Sequence, residues 1–342
     1  MEYPPIKEAL IKSFDRLRTN GNVLIPFVVS PSTWLRTGLS NHERNRLVQS
    51  FLKFSAVDTW RTFAVAGAAL FTALWVAGCA SPTQRINEEA ADFGFEHLDL
   101  KGNGFRLNAF FKPAKTASTK RLHVYLEGDG TPWVSRWTVS DDPTPRDPVM
   151  LRLMALDESP ALYLGRPCYY GYSADSGCSP VLWTHRRYGP EVIDGLADAL
   201  QSFLRNRAFS ELVLFGHSGG GALAVLLAPR FPQTSAVVTL AGNLDIDAWT
   251  AYHGYSPLAG SLNPAETKTN GIAEYHYFGE TDRSIPPSVF EPVAKRRPHA
   301  RVFVLPDFDH RCCWQEVWKD VLRRAGCIGQ DPATTFNAQT HE

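Results

Sequence analysis

Gly216-His217-Ser218-Gly219-Gly220 is the stretch of this chain with the clearest capacity for chemistry. A serine hydroxyl is inert at neutral pH unless a base takes its proton. Glycines on both sides let the chain turn sharply and let neighbouring backbone approach, so that the hydroxyl stands exposed. The motif therefore asks for an acid and then a histidine further along. Asp282 lies in Gly279-Glu280-Thr281-Asp282-Arg283-Ser284-Ile285-Pro286, and His310 ends Leu305-Pro306-Asp307-Phe308-Asp309-His310. In that arrangement His310 accepts the Ser218 proton and returns it to a leaving group, with Asp282 as the acid of the set. Asp245 and Asp247, in AGNLDIDAW, are rivals for the acid or belong to a substrate pocket. The non-catalytic alternatives are a helix cap for Ser218 or Asp282 and a surface loop for His310. His217 adjoins the serine, but neighbours on a tight turn point apart, so it is expected to pack below the nucleophile. His185, His253, His276 and His299 have no such context.

A serine placed in this way needs a strand before it and a helix after it. Glu211 to Phe215 (ELVLF) reads as a buried strand, and Gly219 to Ala228 as a helix rich in Ala and Leu. The start of that helix offers unpaired N–H groups and positive potential to a developing oxyanion. Further strands are expected at Leu122 to Glu127 (LHVYLE), Ala161 to Leu164, Ser235 to Leu240, Glu274 to Phe278 and Arg301 to Leu305. Pro190 opens a helix through about Arg207, with Val192, Leu196, Leu200 and Leu204 on one face. Other helical stretches lie near Pro287 to Arg297 and Cys313 to Ala325. Such alternation signals βαβ units and a mostly parallel sheet. Thr131 to Pro148, heavy in Pro, Asp and Trp, is expected as an irregular loop over the sheet's carboxyl edge, where such folds bind ligands.

An oxyanion hole would take one N–H from Gly219 and a second from the loop after LHVYLE, where Glu127-Gly128-Asp129-Gly130 stands. On these residues the region from about Arg121 to Ala325 resembles the α/β-hydrolase superfamily, most closely bacterial secreted or lipid-anchored serine hydrolases. The resemblance implies an α/β fold, a mostly parallel central sheet flanked by helices with a loop-built lid, and no cofactor or metal. It assigns the second amide to Asp129, with Gly130 as its neighbour. Many esterases carry His-Gly and a small residue here, and Glu127 replaces that histidine. The implied activity is cleavage of a carboxylic ester, small or lipidic, through an acyl-enzyme on Ser218. The alternatives are a lipase or phospholipase on envelope lipids and a non-catalytic binding lipoprotein on a hydrolase fold. Trp133, Trp137, Trp183, Tyr169, Tyr170, Tyr172, Trp249 and Tyr255 gather in the lid and pocket loops, either to receive an acyl chain or simply to pack.

Length and composition allow one large α/β domain or two small ones. The chain has 342 residues, 44% of them hydrophobic, so it needs neither metal nor dense disulfides to form a core. Its 35 basic and 35 acidic side chains cancel, and no basic field is available to hold nucleic acid. Six cysteines show no zinc-ligand spacing. Phe63 to Ala77 (FAVAGAALFTALWVA), preceded by Arg61, has the length of a secretory h-region rather than a membrane span. It runs into Val76-Ala77-Gly78-Cys79, which resembles a bacterial lipobox with Cys79 as the lipidated residue. The other reading is a buried helix ending in an ordinary cysteine.

Residues 57–78 are thus expected as a lipoprotein signal peptide beginning near Val57. Residues 1–56, with the echoing phrases LRTNG and LRTGLSN, resemble translated intergenic repeats rather than protein; a genuine disordered extension is the alternative. Residues 79–120 then form the mature N-terminal segment with the first strands, 121–326 the core, and 327–342 a flexible tail. Ala80 after the cysteine favours an outer-membrane location facing the periplasm, held through the lipid anchor. Export suits an oxidising compartment, where Cys168 and Cys178 would close a short loop as a disulfide. Cys327 would pair with Cys312 or Cys313, leaving one thiol over.

Overall fold

The computed structural model describes residues 80–114, 120–269 and 271–328. The expectations for residues 1–56, the signal segment 57–78, Cys79 and the tail from 329 onward fall outside the described residues. Ser81 opens α1 (Pro82–Asp92) with a capping box: its side chain accepts from the Gln84 amide, and the Gln84 side chain accepts from its own. An antiparallel hairpin follows, β1 (Glu96–Gly102) and β2 (Phe105–Lys112). These are the first strands expected before residue 121. Beyond β3 (Arg121–Leu126) the long loop is not wholly irregular. It carries a small antiparallel hairpin, β4 (Trp133–Ser135) and β5 (Thr138–Val139), before α2 (Val149–Leu156).

The remaining elements alternate. They are β6 (Ala161–Leu164), α3 (Pro190–Leu204), β7 (Glu211–His217), α4 (Gly219–Leu227), β8 (Thr234–Leu240), α5 (Ile246–His253), β9 (Ala273–Gly279), α6 (Pro287–Lys295), β10 (Ala300–Leu305) and α7 (Trp314–Arg324). The eight-stranded sheet has the order β1-β2-β6-β3-β7-β8-β9-β10. Only β2 runs against the others, pairing antiparallel with both β1 and β6, while every other neighbouring pair is parallel. With the reversed second strand and the strand-turn-helix at the sheet centre, this is the α/β-hydrolase fold.

Central strands are buried along nearly their whole length, which is why they read as continuous apolar runs rather than alternating ones. Helices α3 and α4 pack together, as do α2 and α7. Tyr125 of β3 stacks on Phe215 of β7 with ring centroids 4.9 Å apart, and Trp318 of α7 meets Phe215 edge-on at 5.3 Å. One buried set of charged and polar groups is closely paired. Glu274 in β9 meets His276 at 2.7 Å and Arg297 at 2.6 Å, so His276 serves the core. Burial would raise Glu274, but those two partners hold it down to about 2.

Cys168 and Cys178 are bonded, with Cα atoms 5.5 Å apart. The expected partnership of Cys327 is not found: Cys312 and Cys313 are bonded to each other, and Cys327 keeps its thiol. The 11 residues of α7 lie between them. A helix of that length spans about 16 Å, whereas bridged Cα atoms lie within about 7 Å. Burial pushes the Cys327 thiol up to about 12. Closing a loop of about ten residues is worth roughly 2–3 kcal/mol by chain entropy. Cys178→Ser is therefore expected to lower unfolding stability by about that amount in a denaturant titration, with little change in slope.

Candidate active site

Ser218 sits between the last residue of β7 and the first of α4, with φ 55° and ψ −121°. Such a conformation costs a serine about 1–3 kcal/mol and persists only where the surroundings fix it. Three backbone hydrogen bonds do so: the Ser218 amide donates to Leu240 at 2.9 Å, and its carbonyl accepts from Gly221 and Asn243 at 3.0 Å each. The glycines are needed for close approach. A methyl group at Gly216 would strike the Gly220 backbone, and one at Gly220 the Leu126 carbonyl.

From β7, β9 and β10, three separate connections bring side chains together. His310 Nε2 lies 3.0 Å from Ser218 Oγ, and its Nδ1 lies 2.8 Å from Asp282 Oδ2. With Nδ1–H donated to the carboxylate, Nε2 carries the lone pair that accepts the serine proton. Asp282 is 3% exposed, and its Oδ1 accepts from the amides of Ser284 and Ile285 at 2.7 and 2.9 Å. Burial alone would raise this carboxyl. The hydrogen bond and charge of His310, helped by the two amides, hold it below the usual carboxylate range. The rival acids are engaged elsewhere: Asp245 caps α5 and accepts from Asn263, which also bonds Asp247.

His217 is buried, and its ring centroid lies 4.9 Å from that of His310. Burial and the neighbouring His310 lower it to about 3, so it is neutral, and its Nε2–H donates to the His310 carbonyl at 2.7 Å. It braces the loop that carries His310. The only sequence signal for this was its place beside the serine. Glu127, which stands where many esterases carry a histidine, turns inward. Its carboxyl is 4% exposed and accepts from the amides of Gly128 at 3.2 Å and Met150, at the start of α2, at 2.9 Å. Burial raises it to about 7.

The amides of Gly219 and Asp129 donate to no other described residue. The Asp129 side chain has a role the sequence did not indicate. Arg166 reaches its carboxylate at 2.8 Å, Arg187 at 2.9 Å, and the Tyr188 hydroxyl at 2.7 Å, while the Tyr169 hydroxyl donates to its carbonyl at 3.0 Å. Burial would raise Asp129, but the two guanidinium groups and Tyr188 lower it. This carboxylate lies directly against the turn, because a methyl group at Gly219 would run into it and into the Tyr188 hydroxyl. The gathered aromatics differ in exposure. Trp183, Tyr169 and Tyr170 are buried packing, whereas Trp137 of the small hairpin is 84% exposed. A cleft of about 500 Å³ lined by Ile246, Leu258, Ser261 and Asn263 contains none of Ser218, Asp282 and His310. Among the described residues no cluster of side chains could hold a metal, and no helix is long and apolar enough to cross a membrane.

The sequence matches no protein-family model and no curated protein. Solved structures similar to it include an α/β serine hydrolase without lid from Xanthomonas campestris, at 15% identity, TM-score 0.46, covering 70% of this chain and 97% of that one. An esterase from Pyrococcus furiosus is similar at 14% identity and TM-score 0.48, covering 69% and 92%. A bacterial membrane phospholipase A is similar at 13% identity and TM-score 0.47, covering 83% and 100%. Likeness at this level carries no argument about activity, and the fold rests on the strand order above.

Because Glu127 is raised in the folded state, its contribution to stability is complete below its unfolded value near 4.5 and is lost as pH rises through about 7. Glu127→Gln removes that dependence. Its stability relative to the unsubstituted protein is expected to improve from pH 5 to about pH 7 and then to level off, as measured by denaturant titration at each pH.

Proposed function

We propose that this protein is a serine hydrolase that cleaves a carboxylic ester through an acyl-enzyme on Ser218. The observation that carries this reading is the hydrogen-bonded series Ser218–His310–Asp282, formed at a turn where the serine backbone is held at positive φ. Ser218 Oγ attacks the carbonyl carbon as its proton passes to His310 Nε2, and the imidazolium is stabilised by ionised Asp282. The amides of Gly219 and Asp129 receive the developing oxyanion, each worth roughly 10²–10³ in rate. His310 then protonates the departing alcohol. Water enters and attacks the acyl carbon as it loses a proton to His310. His310 returns that proton to Ser218 Oγ as the acyl–oxygen bond breaks and the acid leaves.

A placement at the cell envelope, lipid-anchored through Cys79 and facing the periplasm, belongs to the same proposal. It is supported by the Val76-Ala77-Gly78-Cys79 sequence and by the bonded Cys168 and Cys178, which suit an oxidising compartment. A lipid substrate is favoured by one specific feature, the exposed hairpin residues Trp133, Val134 and Trp137. A rate that climbs with acyl length from butyrate to palmitate esters marks a lipase, and a fall marks an esterase. A fluorophosphonate probe is expected to label the protein at Ser218. Ser218→Ala should abolish labelling and lower turnover of short p-nitrophenyl esters by roughly six orders of magnitude. Undiminished turnover by that variant would overturn the reading.

A further inference from the structure

Two arginines converge on one carboxylate beside the nucleophile. Arg166 is 3% exposed and Arg187 6%, and both bond Asp129, whose carboxylate lies against Gly219. Two guanidinium charges against one carboxylate leave a net positive charge in a largely desolvated place, where it acts with little screening. Glu127 cancels it only in part near neutral pH, since burial raises that acid to about 7.

The donors are also in surplus. Arg166 keeps Nε and Nη1 buried without a hydrogen-bond partner among the described residues. Buried unpaired donors of this kind are costly and ask for an explanation. Arg187 uses Nε on the Thr184 carbonyl at 2.7 Å and Nη1 on Asp129 at 2.9 Å. Its Nη2 bonds no described residue and is not among the sealed nitrogens. That nitrogen is therefore the open donor of the pair. The guanidinium lies 5.9 Å from the ring of Trp249, whose Nε1 donates to the Ser284 carbonyl two residues beyond Asp282. Arg187 thus lies between Asp129 and the ring of Trp249, and Trp249 in turn bonds the loop after Asp282.

We infer that Arg187 is a specificity residue, its Nη2 binding an anionic group, carboxylate or phosphate, carried by the ester within a few bonds of the scissile carbonyl. The inference rests on the reading of Ser218 as the nucleophile. A planar guanidinium suits either oxyanion, and the positive environment set by Arg166 strengthens the bond. Asp129 fixes the guanidinium geometry in advance, so less order is lost when the anion arrives.

The test compares mono-p-nitrophenyl succinate with p-nitrophenyl butyrate, and titrates succinate and inorganic phosphate into the protein by calorimetry. The unsubstituted protein is expected to favour the anionic ester. Arg187→Gln should lower the ratio of kcat/KM values, anionic over neutral, at least about tenfold, the loss of one charge-assisted hydrogen bond. Arg187→Lys should retain part of the preference, and thermal melts establish that both variants fold. Tighter binding of succinate points to a carboxylate and tighter binding of phosphate to a phosphate, and either sustains the inference. Equal turnover of the two esters with binding of neither anion overturns it, as does a preference that survives in a folded Arg187→Gln. Succinate binding that Arg187→Gln abolishes, in a protein that turns over neither ester, sustains the anion pocket and sinks the esterase reading.

Discussion

The arrangement depends on holding one serine in a backbone conformation that L-residues resist. At φ 55°, Ser218 gains nothing locally from its geometry. The conformation is imposed by the sheet through the Leu240 carbonyl, by α4 through Gly221, and by the β8–α5 connection through Asn243. Relaxing the turn would break three buried hydrogen bonds, each worth about 1 kcal/mol net and more if its partner is left unsatisfied. The strain is thus spread across the central parallel strands, and their rigidity sets the position of Oγ.

Around that fixed point the other groups are arranged in layers of support. Asp282 receives two amides on one oxygen and His310 on the other, so its carboxylate has little freedom to rotate. Neutral His217 braces the His310 carbonyl from within the core, and a charge there would be penalised by the same burial that keeps it neutral. On the opposite side Asp129 is held by Arg166, Arg187 and Tyr188, which fixes the direction of its amide as well as its carboxylate. A carboxylate so near a developing oxyanion would be harmful alone. The second guanidinium reverses the local sign.

Much of the fold was legible because buried parallel strands are compositionally loud. Ala161 to Leu164 and the 211, 235, 274 and 301 runs fall on observed strands within two residues at either end. Elements with weaker signals were missed for physical reasons. Helix α2 (VMLRLMAL) is buried nearly all round, so it shows no polar face to mark a helical period. Helix α5 has 8 residues, too few for a pattern, and the hairpin β4–β5 is largely exposed and very short. At the site, Ser218, Asp282 and His310 were legible because each follows a strand in a turn-forming context. The Asp129 cluster was not, since Arg166, Arg187 and Tyr188 come from other segments and their sequences hold nothing that points to position 129. The helix expected from Cys313 to Ala325 already separates Cys327 from the cysteine pair by more than a disulfide can span.

The claim that Ser218 Oγ is the atom that bonds to the substrate is open to direct observation. Protein quenched in acid during turnover of p-nitrophenyl acetate can be digested and its peptides weighed. The account predicts one acetyl group, on the peptide containing Ser218 and on that residue by fragmentation. Turnover with the acetyl group on another side chain would contradict it.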